Sequence, residues 1–191
     1  MPVLALATAS GQTGAVTDTS PAIEEVRSLI RRNGLAALAV DDLRHDDLAL
    51  LGWSGSPLHV ESITAALARV PGGEVEYLVV RAPDGVPIAK GGIEYADSHG
   101  PGKLYQLATH PELRGLGIGT HLVGALEARV RARGIESAWL GVELNNPRAR
   151  ALYKRLGYEP FAEEAGGWET EDSNGRRFWK ETRMTLMRRS L

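Results

Sequence analysis

Cysteine is absent from the chain. That excludes a disulfide framework, a thiolate nucleophile, an iron–sulfur cluster and any zinc site built on thiolates. Net charge is nearly absent too, at −2 for the whole chain, so the broad electrostatic attraction behind general nucleic-acid binding is missing. Local basic patches remain open, but there is no basic tail or arm. Long apolar runs are lacking as well. Residues 2–7 (PVLALA) form a mildly apolar stretch far too short to span a bilayer, and no Lys or Arg precedes it to make the n-region of an export signal. No pair of histidines has metal-ligand spacing; His99 and His110 fall in turns and His121 on a helix, as solvated bystanders. The expectation is a cytoplasmic protein that binds neither nucleic acid, membrane nor metal.

What is present suits one globular domain. The chain has 191 residues, 43% of them hydrophobic and 24% charged, enough for one substantial core and short for two. Residues 1–20, mostly small and polar after the first few, are expected to form a flexible arm, and residues 21–191 a single domain. A helix should begin at Ser20-Pro21, where serine caps and proline suits the first turn, and stop at Gly34. Leu35 to Val40 reads as a first strand, Leu48 to Trp53 as a short helix, and a second helix starts near Pro57, carries Ile63, Ala66, Leu67 and Val70, and ends at Pro71-Gly72-Gly73. Val75 to Arg81, Val86 to Ala96 and Lys103 to Thr109 then read as an antiparallel meander, its first turn made by Ala82-Pro83-Asp84-Gly85.

After Thr109 the period changes. Ile118, Leu122, Leu126 and Val130 recur every four residues, giving a helix with a one-sided apolar stripe that Gly134 stops. Ser137 to Val142 is a strand. Asn146 caps a helix with Pro147 at its first position, presenting Ala149, Leu152, Tyr153 and Leu156, and Tyr158 to Ala162 and Phe178 to Met187 make two last strands. The fold class is α/β: a central, mostly antiparallel, twisted sheet of six to seven strands with helices on both faces.

Between strand and helix stands Arg114-Gly115-Leu116-Gly117-Ile118-Gly119-Thr120. Glycines at alternate positions remove Cβ atoms where the backbone enters the helix, so an anionic ligand can reach the free N–H groups of the first turn. The helix dipole and Arg114 favour phosphate or pyrophosphate. A purely steric tight turn is the other reading. A Walker loop would need Lys-Ser/Thr after the last glycine, where Thr120-His121 stand, and the spacing fails the dinucleotide fingerprint.

Here the chain resembles the GNAT superfamily of N-acetyltransferases, whose acyl-CoA loop reads Gln/Arg-x-x-Gly-x-Gly/Ala; Arg114, Gly117 and Gly119 match it. Leu107 to Leu113 resembles the family's strand-and-turn entry, with Thr109 where Val is commoner. Residues 146–158 (NPRARALYKRLGY) are similar to its N-x-x-A-x-x-L-Y-x-x-x-G-F/Y signature. The motifs cover roughly residues 104–161. The resemblance implies acetyl-CoA as co-substrate, with the main chain of Leu107 and Thr109 holding pantetheine, residues 115–120 (Gly115, Gly117, Ile118, Gly119 and Thr120 among them) binding the pyrophosphate, and Asn146 touching the cofactor besides capping its helix. It implies that Tyr153 protonates the departing thiolate, against the alternative of a plain core aromatic. An alkyl amine is mostly protonated near neutral pH and needs a base; Glu94, directly or through water, is the preferred candidate and Tyr105 the other.

Acceptor choice is less legible. Trp53 to Pro57 could cover the acceptor cleft. Glu159, Glu163, Glu164, Glu169, Glu171 and Asp172 lie between 159 and 175 with no basic residue among them; on the cleft's border they would attract a cationic amine, and otherwise they are a solvated loop. The expectation is an acetyltransferase acting on a small, cationic primary amine. A protein or peptide N-acetyltransferase and a non-catalytic acyl-CoA-binding module remain open alternatives, as does a homodimer formed through the last strand.

Overall fold

The computed structural model describes residues 21–172 and 174–191. The expected N-terminal arm lies outside them. Helix α1 (Pro21–Asn33) buries Ile23 and Val26 and stops at Gly34, whose φ of 73° is easy only for glycine. The expected first strand at Leu35–Val40 is corrected: Leu35–Ala37 form a 3₁₀ turn, and strand β1 is only Val40–Asp42. Its apolar residues serve other contacts, since Leu38 is buried in the core and Leu35 packs where a Cβ on Gly117 would sit. Arg81 pins this region, donating to Asp41 at 2.7 Å and to Asp47 at 2.7 and 3.0 Å. Two further 3₁₀ turns, His45–Leu50 and Gly52–Ser54, replace the expected short helix. Helix α2 (Pro57–Leu67) is capped by Ser56, whose Oγ accepts from the His59 N–H.

The meander forms as expected, with β2 (Val75–Arg81), β3 (Pro87–Glu94) and β4 (Lys103–Thr109) pairing antiparallel. Helix α3 (Ile118–Ala132), β5 (Ser137–Glu143) and α4 (Pro147–Arg155) follow. The last two strands are far longer than expected, β6 (Glu159–Glu171) and β7 (Arg177–Ser190), joined in one extended hairpin. Strand order is β1-β2-β3-β4-β5-β7-β6, and every neighbouring pair is antiparallel except β4–β5.

The strands' two-residue alternation builds a core on each face. Val75, Tyr77 and Val79 meet Ile63, Ala66 and Leu67 of α2; Leu78 and Val80 meet α1 and the apolar stripe of α3, with Tyr153 of α4 in the same cluster. Each fully buried Leu, Ile or Val contributes roughly 1.5–3 kcal/mol of transfer free energy. Among the buried charged residues, Glu127 of α3 receives two 3.0 Å bonds from Arg189 and one of 3.0 Å from the Tyr158 hydroxyl. Among the described residues no helix is long and apolar enough to cross a membrane, and no group of three His, Cys, Asp or Glu could hold a metal ion.

Candidate active site

The parallel pair β4–β5 has a single register partner, Lys103↔Trp139, after which the strands part. The backbone of β4 beyond that point therefore faces a gap on one side while it pairs with β3 on the other. Between Lys90↔Ala108 and Gly92↔Tyr105 the β3–β4 register shifts, so Gly91 stands against both Gln106 and Leu107. This is a β-bulge. Gly91 suits this spot, because a Cβ would lie 2.4 Å from Leu107 Cδ2 and 3.2 Å from Leu126 Cδ1 and would push Leu107 aside. Gln106 is the one described non-glycine residue with positive φ, 52°, a conformation that persists only where its surroundings hold it.

The hold is a closed ring of buried and half-buried polar groups. Tyr77 donates its hydroxyl to Gln106 Oε1 at 3.0 Å, Gln106 Nε2 donates to Ser62 Oγ at 2.9 Å, and Ser62 donates to the His59 carbonyl at 2.6 Å. His59 Nε2 lies 2.8 Å from Lys90 Nζ, which reaches the Tyr77 hydroxyl at 3.2 Å. Lys90 is fully buried and its ring partners are all uncharged groups. Burial therefore holds its pKa well below the ordinary lysine value. Burial, and secondarily any charge on Lys90, pulls His59 down to about 3. Both bases thus sit where burial disfavours the charged form.

On the other side of β4, Gly115 and Gly117 take left-handed φ values of 87° and 85°, and Gly117 is the N-cap of α3. The first-turn N–H groups of α3 are thus open to a ligand. At Gly119 an added Cβ would meet only Thr109 Oγ1, at 3.3 Å; a larger side chain would fill the cradle itself. Arg114 Nε donates to the Thr109 carbonyl at 3.3 Å.

A cleft of about 370 Å³ joins these parts. Leu107, Ala108 and Thr109 form its strand wall; Arg114, Gly115, Gly117, Ile118, Gly119 and Thr120 form its loop and helix start; Asn146, Arg148, Ala149, Leu152, Tyr153 and Arg155 close it from α4. Asn146 accepts from the Ala149 N–H at 3.0 Å, as a helix cap does. Arg148 and Arg155 were not singled out from the sequence, though they share a helical face with Leu152 and add two cations to Arg114 around the cradle. Tyr153 is 3% exposed, stands edge-on to Tyr158 at 5.8 Å between centroids, and has its phenol pKa raised by burial alone.

Glu94 stands elsewhere. It pairs with Lys103 at the closed end of the gap, about 13 Å along β4 from Leu107 at ~3.3 Å per residue, and is absent from the cleft lining. Arg69 grips both its oxygens, at 2.6 and 2.8 Å. Tyr105, on the α2 face, has a buried hydroxyl without a hydrogen-bond partner among the described residues, and burial raises its pKa. His110 rests against Trp53, 5.5 Å between centroids. His99 pairs with Asp97 and Glu164, and His121 lies beside the Leu38 carbonyl. The acidic hairpin is partly spoken for: Glu171 accepts from the Leu58 N–H at the start of α2, and Glu163 faces Arg183.

A family model described as Acetyltransferase (GNAT) family matches residues 40–158, more than half of the chain. A mycothiol acetyltransferase from Beutenbergia cavernae is 36% identical over 89 residues, which cover 47% of this chain and 30% of that protein; the match thus spans under a third of that relative's length. A ribosomal-protein-alanine N-acetyltransferase from Brucella melitensis superposes with a TM-score of 0.61 at 19% identity, over 81% of this chain and 100% of that one. A chimeric spermidine N-acetyltransferase from Vibrio cholerae gives 0.60 at 18%, over 80% and 95%. At such identities these two show likeness of fold alone. The family match, on a chain whose sheet parts beside a glycine-built helix start, gives the conclusion: this protein belongs to the GNAT family of acetyltransferases.

Proposed function

We propose that the protein is an acetyl-CoA-dependent N-acetyltransferase that acetylates the primary amine of a small, cationic molecule by direct attack within a ternary complex. One observation carries the reading. The strand that has lost its neighbour, the cradle at the start of α3 and a buried tyrosine all line one cleft. The backbone groups of Leu107 and Thr109 suit the amides of a pantetheine arm. The first-turn N–H groups of α3, with Arg114, Arg148 and Arg155 around them, suit its diphosphate. Acetyl-CoA supplies the activated acyl group; the chain orients it and excludes water. Tyr153 holds a proton on its hydroxyl, and its raised pKa keeps it protonated until a thiolate forms nearby.

Several features support a small cation over a peptide. Trp53 and its neighbours lie over the α2 face, and Leu58 N–H to Glu171 and Arg177 to Glu61 tie the β6–β7 hairpin to α2. Those ties narrow the approach that a polypeptide would need open. The test couples calorimetry with acetyl-CoA to a free-thiol assay over polyamines, aminoglycosides and peptides. Saturable binding and thiol release with a small amine are expected. Tyr153→Phe should lose ~10²-fold or more in kcat while keeping its affinity for acetyl-CoA, and Gly119→Val should lose that affinity. Absence of saturable acetyl-CoA binding to the unmodified protein overturns the reading; release with peptides alone overturns the acceptor class.

A further inference from the structure

Strand β5 ends in a carboxylate that the fold leaves half-used. Glu143 has a side chain only 2% exposed. Its Oε1 accepts from Thr182 Oγ1 at 3.1 Å and lies 3.5 Å from Lys180 Nζ. Its Oε2 is buried without any hydrogen-bond partner among the described residues. A carboxylate taken from water loses strong hydration at every lone pair, so an unbonded buried oxygen is costly unless a cation comes to it.

The position is as informative as the burial. Lys103 and Trp139 are the last residues joining β4 to β5. Leu107 and Glu143 each lie four residues further along parallel strands, so to within the bulge they stand level on opposite sides of the gap. Glu143 shares a sheet face with Trp139, by the two-residue alternation, whereas Leu140 and Val142 turn to the core that holds Tyr153. The carboxylate therefore belongs to the face opposite Tyr153, beside the bulge. Glu94, by contrast, is held by Arg69 at the closed end.

The fold also marks what chemistry fits there. The Lys180 ammonium sits 3.5 Å from Glu143 and 4.5 Å over the centroid of the buried Trp168 ring, on a side chain 41% exposed. A half-solvated alkylammonium between a carboxylate and an indole face occupies a seat for a primary ammonium, and its exposure makes it displaceable.

We propose that Glu143 is the residue that receives the acceptor's primary ammonium, with the face of Trp168, in place of the Lys180 side chain, and takes its first proton. This rests on the acetyltransferase reading above. The step balances. One N–H proton passes from the ammonium to the Glu143 carboxylate, and the freed lone pair forms the C–N bond to the thioester carbonyl carbon. The C–S bond breaks and the departing sulfur takes the Tyr153 proton. The second proton shed by the nitrogen restores Tyr153, and Glu143 returns its own to solvent. The products are one amide, one thiol and one released proton.

The experiment measures acetyl-CoA affinity by calorimetry and thiol release with two probe amines, 1,4-diaminobutane, which is protonated near neutral pH, and aniline, which is not. Glu143→Gln should bind acetyl-CoA normally and lose ~10²-fold or more in turnover of diaminobutane while losing far less with aniline, since aniline arrives unprotonated and sheds only the later proton that passes to Tyr153. Equal losses on both amines, or none on diaminobutane, overturn the proposal. Should Glu143→Gln fail to fold, Lys180→Met decides: emptying the seat should lower KM for diaminobutane several-fold, and an unchanged or higher KM overturns it. Unmodified protein that binds acetyl-CoA yet releases no thiol with diaminobutane overturns this proposal alone; failure to bind acetyl-CoA overturns the reading beneath it.

Discussion

Replacing Lys90 by methionine should stabilise the protein near neutral pH and lose that advantage in alkali. In the folded chain burial holds the Lys90 amine well below its ordinary range, whereas in the unfolded chain it titrates near ~10.4. Between the folded and unfolded pKa values the unfolded state binds more protons than the folded state, so this group makes stability rise with pH, by up to about 1.36 kcal/mol per unit. A lysine wholly neutral in the fold forgoes roughly 4 kcal/mol at about pH 7.5 and roughly 1.2 kcal/mol at about pH 9.5, so these are the ceilings. Methionine has a similar length and no proton to bind. It gives up the contacts to His59 and Tyr77, at about 1–3 kcal/mol for the buried partner left unmet. At the lower pH that ceiling exceeds the loss, and at the higher pH it falls within the range of the loss. His59, lowered to about 3, adds its own slope only below its ordinary range near ~6.5 and leaves the alkaline window untouched. Urea unfolding followed by tryptophan fluorescence, for both proteins across the window, gives the result as a difference of slopes. Parallel curves would show a charged lysine in the folded state and refute the reasoning.

Gly91→Ala should lower stability by about 1–3 kcal/mol, because its Cβ overlaps Leu107 and Leu126. By pushing Leu107 off the bulge it should also weaken acetyl-CoA binding, so thermal unfolding and calorimetry should move together. Arg189→Met leaves Glu127 buried with the Tyr158 hydroxyl as its main remaining partner. A loss of about 3–5 kcal/mol is expected in chemical unfolding, largely recovered when Glu127→Gln is added.

Much of the frame was legible in the sequence because punctuation and period agreed. Val75 to Arg81 and Lys103 to Thr109 were bounded by turn-forming residues, and α3 carried an unbroken apolar stripe ending at Gly134. The glycine loop was readable for the same reason: its conformation follows from the residues that make it. Features that depend on a partner strand were not. The Leu35–Val40 run looked like a strand, yet its leucines are spent on the core and on the glycine loop. Strand β6 was cut short because its acidic first half is largely exposed and shows no alternation. Nothing in the Val86 to Ala96 run marks Lys90 as covered; only the packing of α2 reveals it. The bulge at Gln106 is set by Gly91 across the sheet, and the level placement of Glu143 and Leu107 emerges only from the β4–β5 register.

That register has a mechanical consequence. A seven-stranded sheet would ordinarily resist bending across its middle through a full ladder of backbone bonds, but here β1–β4 and β5–β7 share one rung. Beyond Lys103, the β4 N–H and C=O groups that turn toward the gap rather than toward β3 are owed partners, which water or an extended, amide-bearing guest must supply. A guest that satisfies them works as a missing strand, stitching two half-sheets into one. Its arrival should be felt well beyond the atoms it touches, as slowed amide exchange along β4 and tighter coupling between the hairpin and the meander.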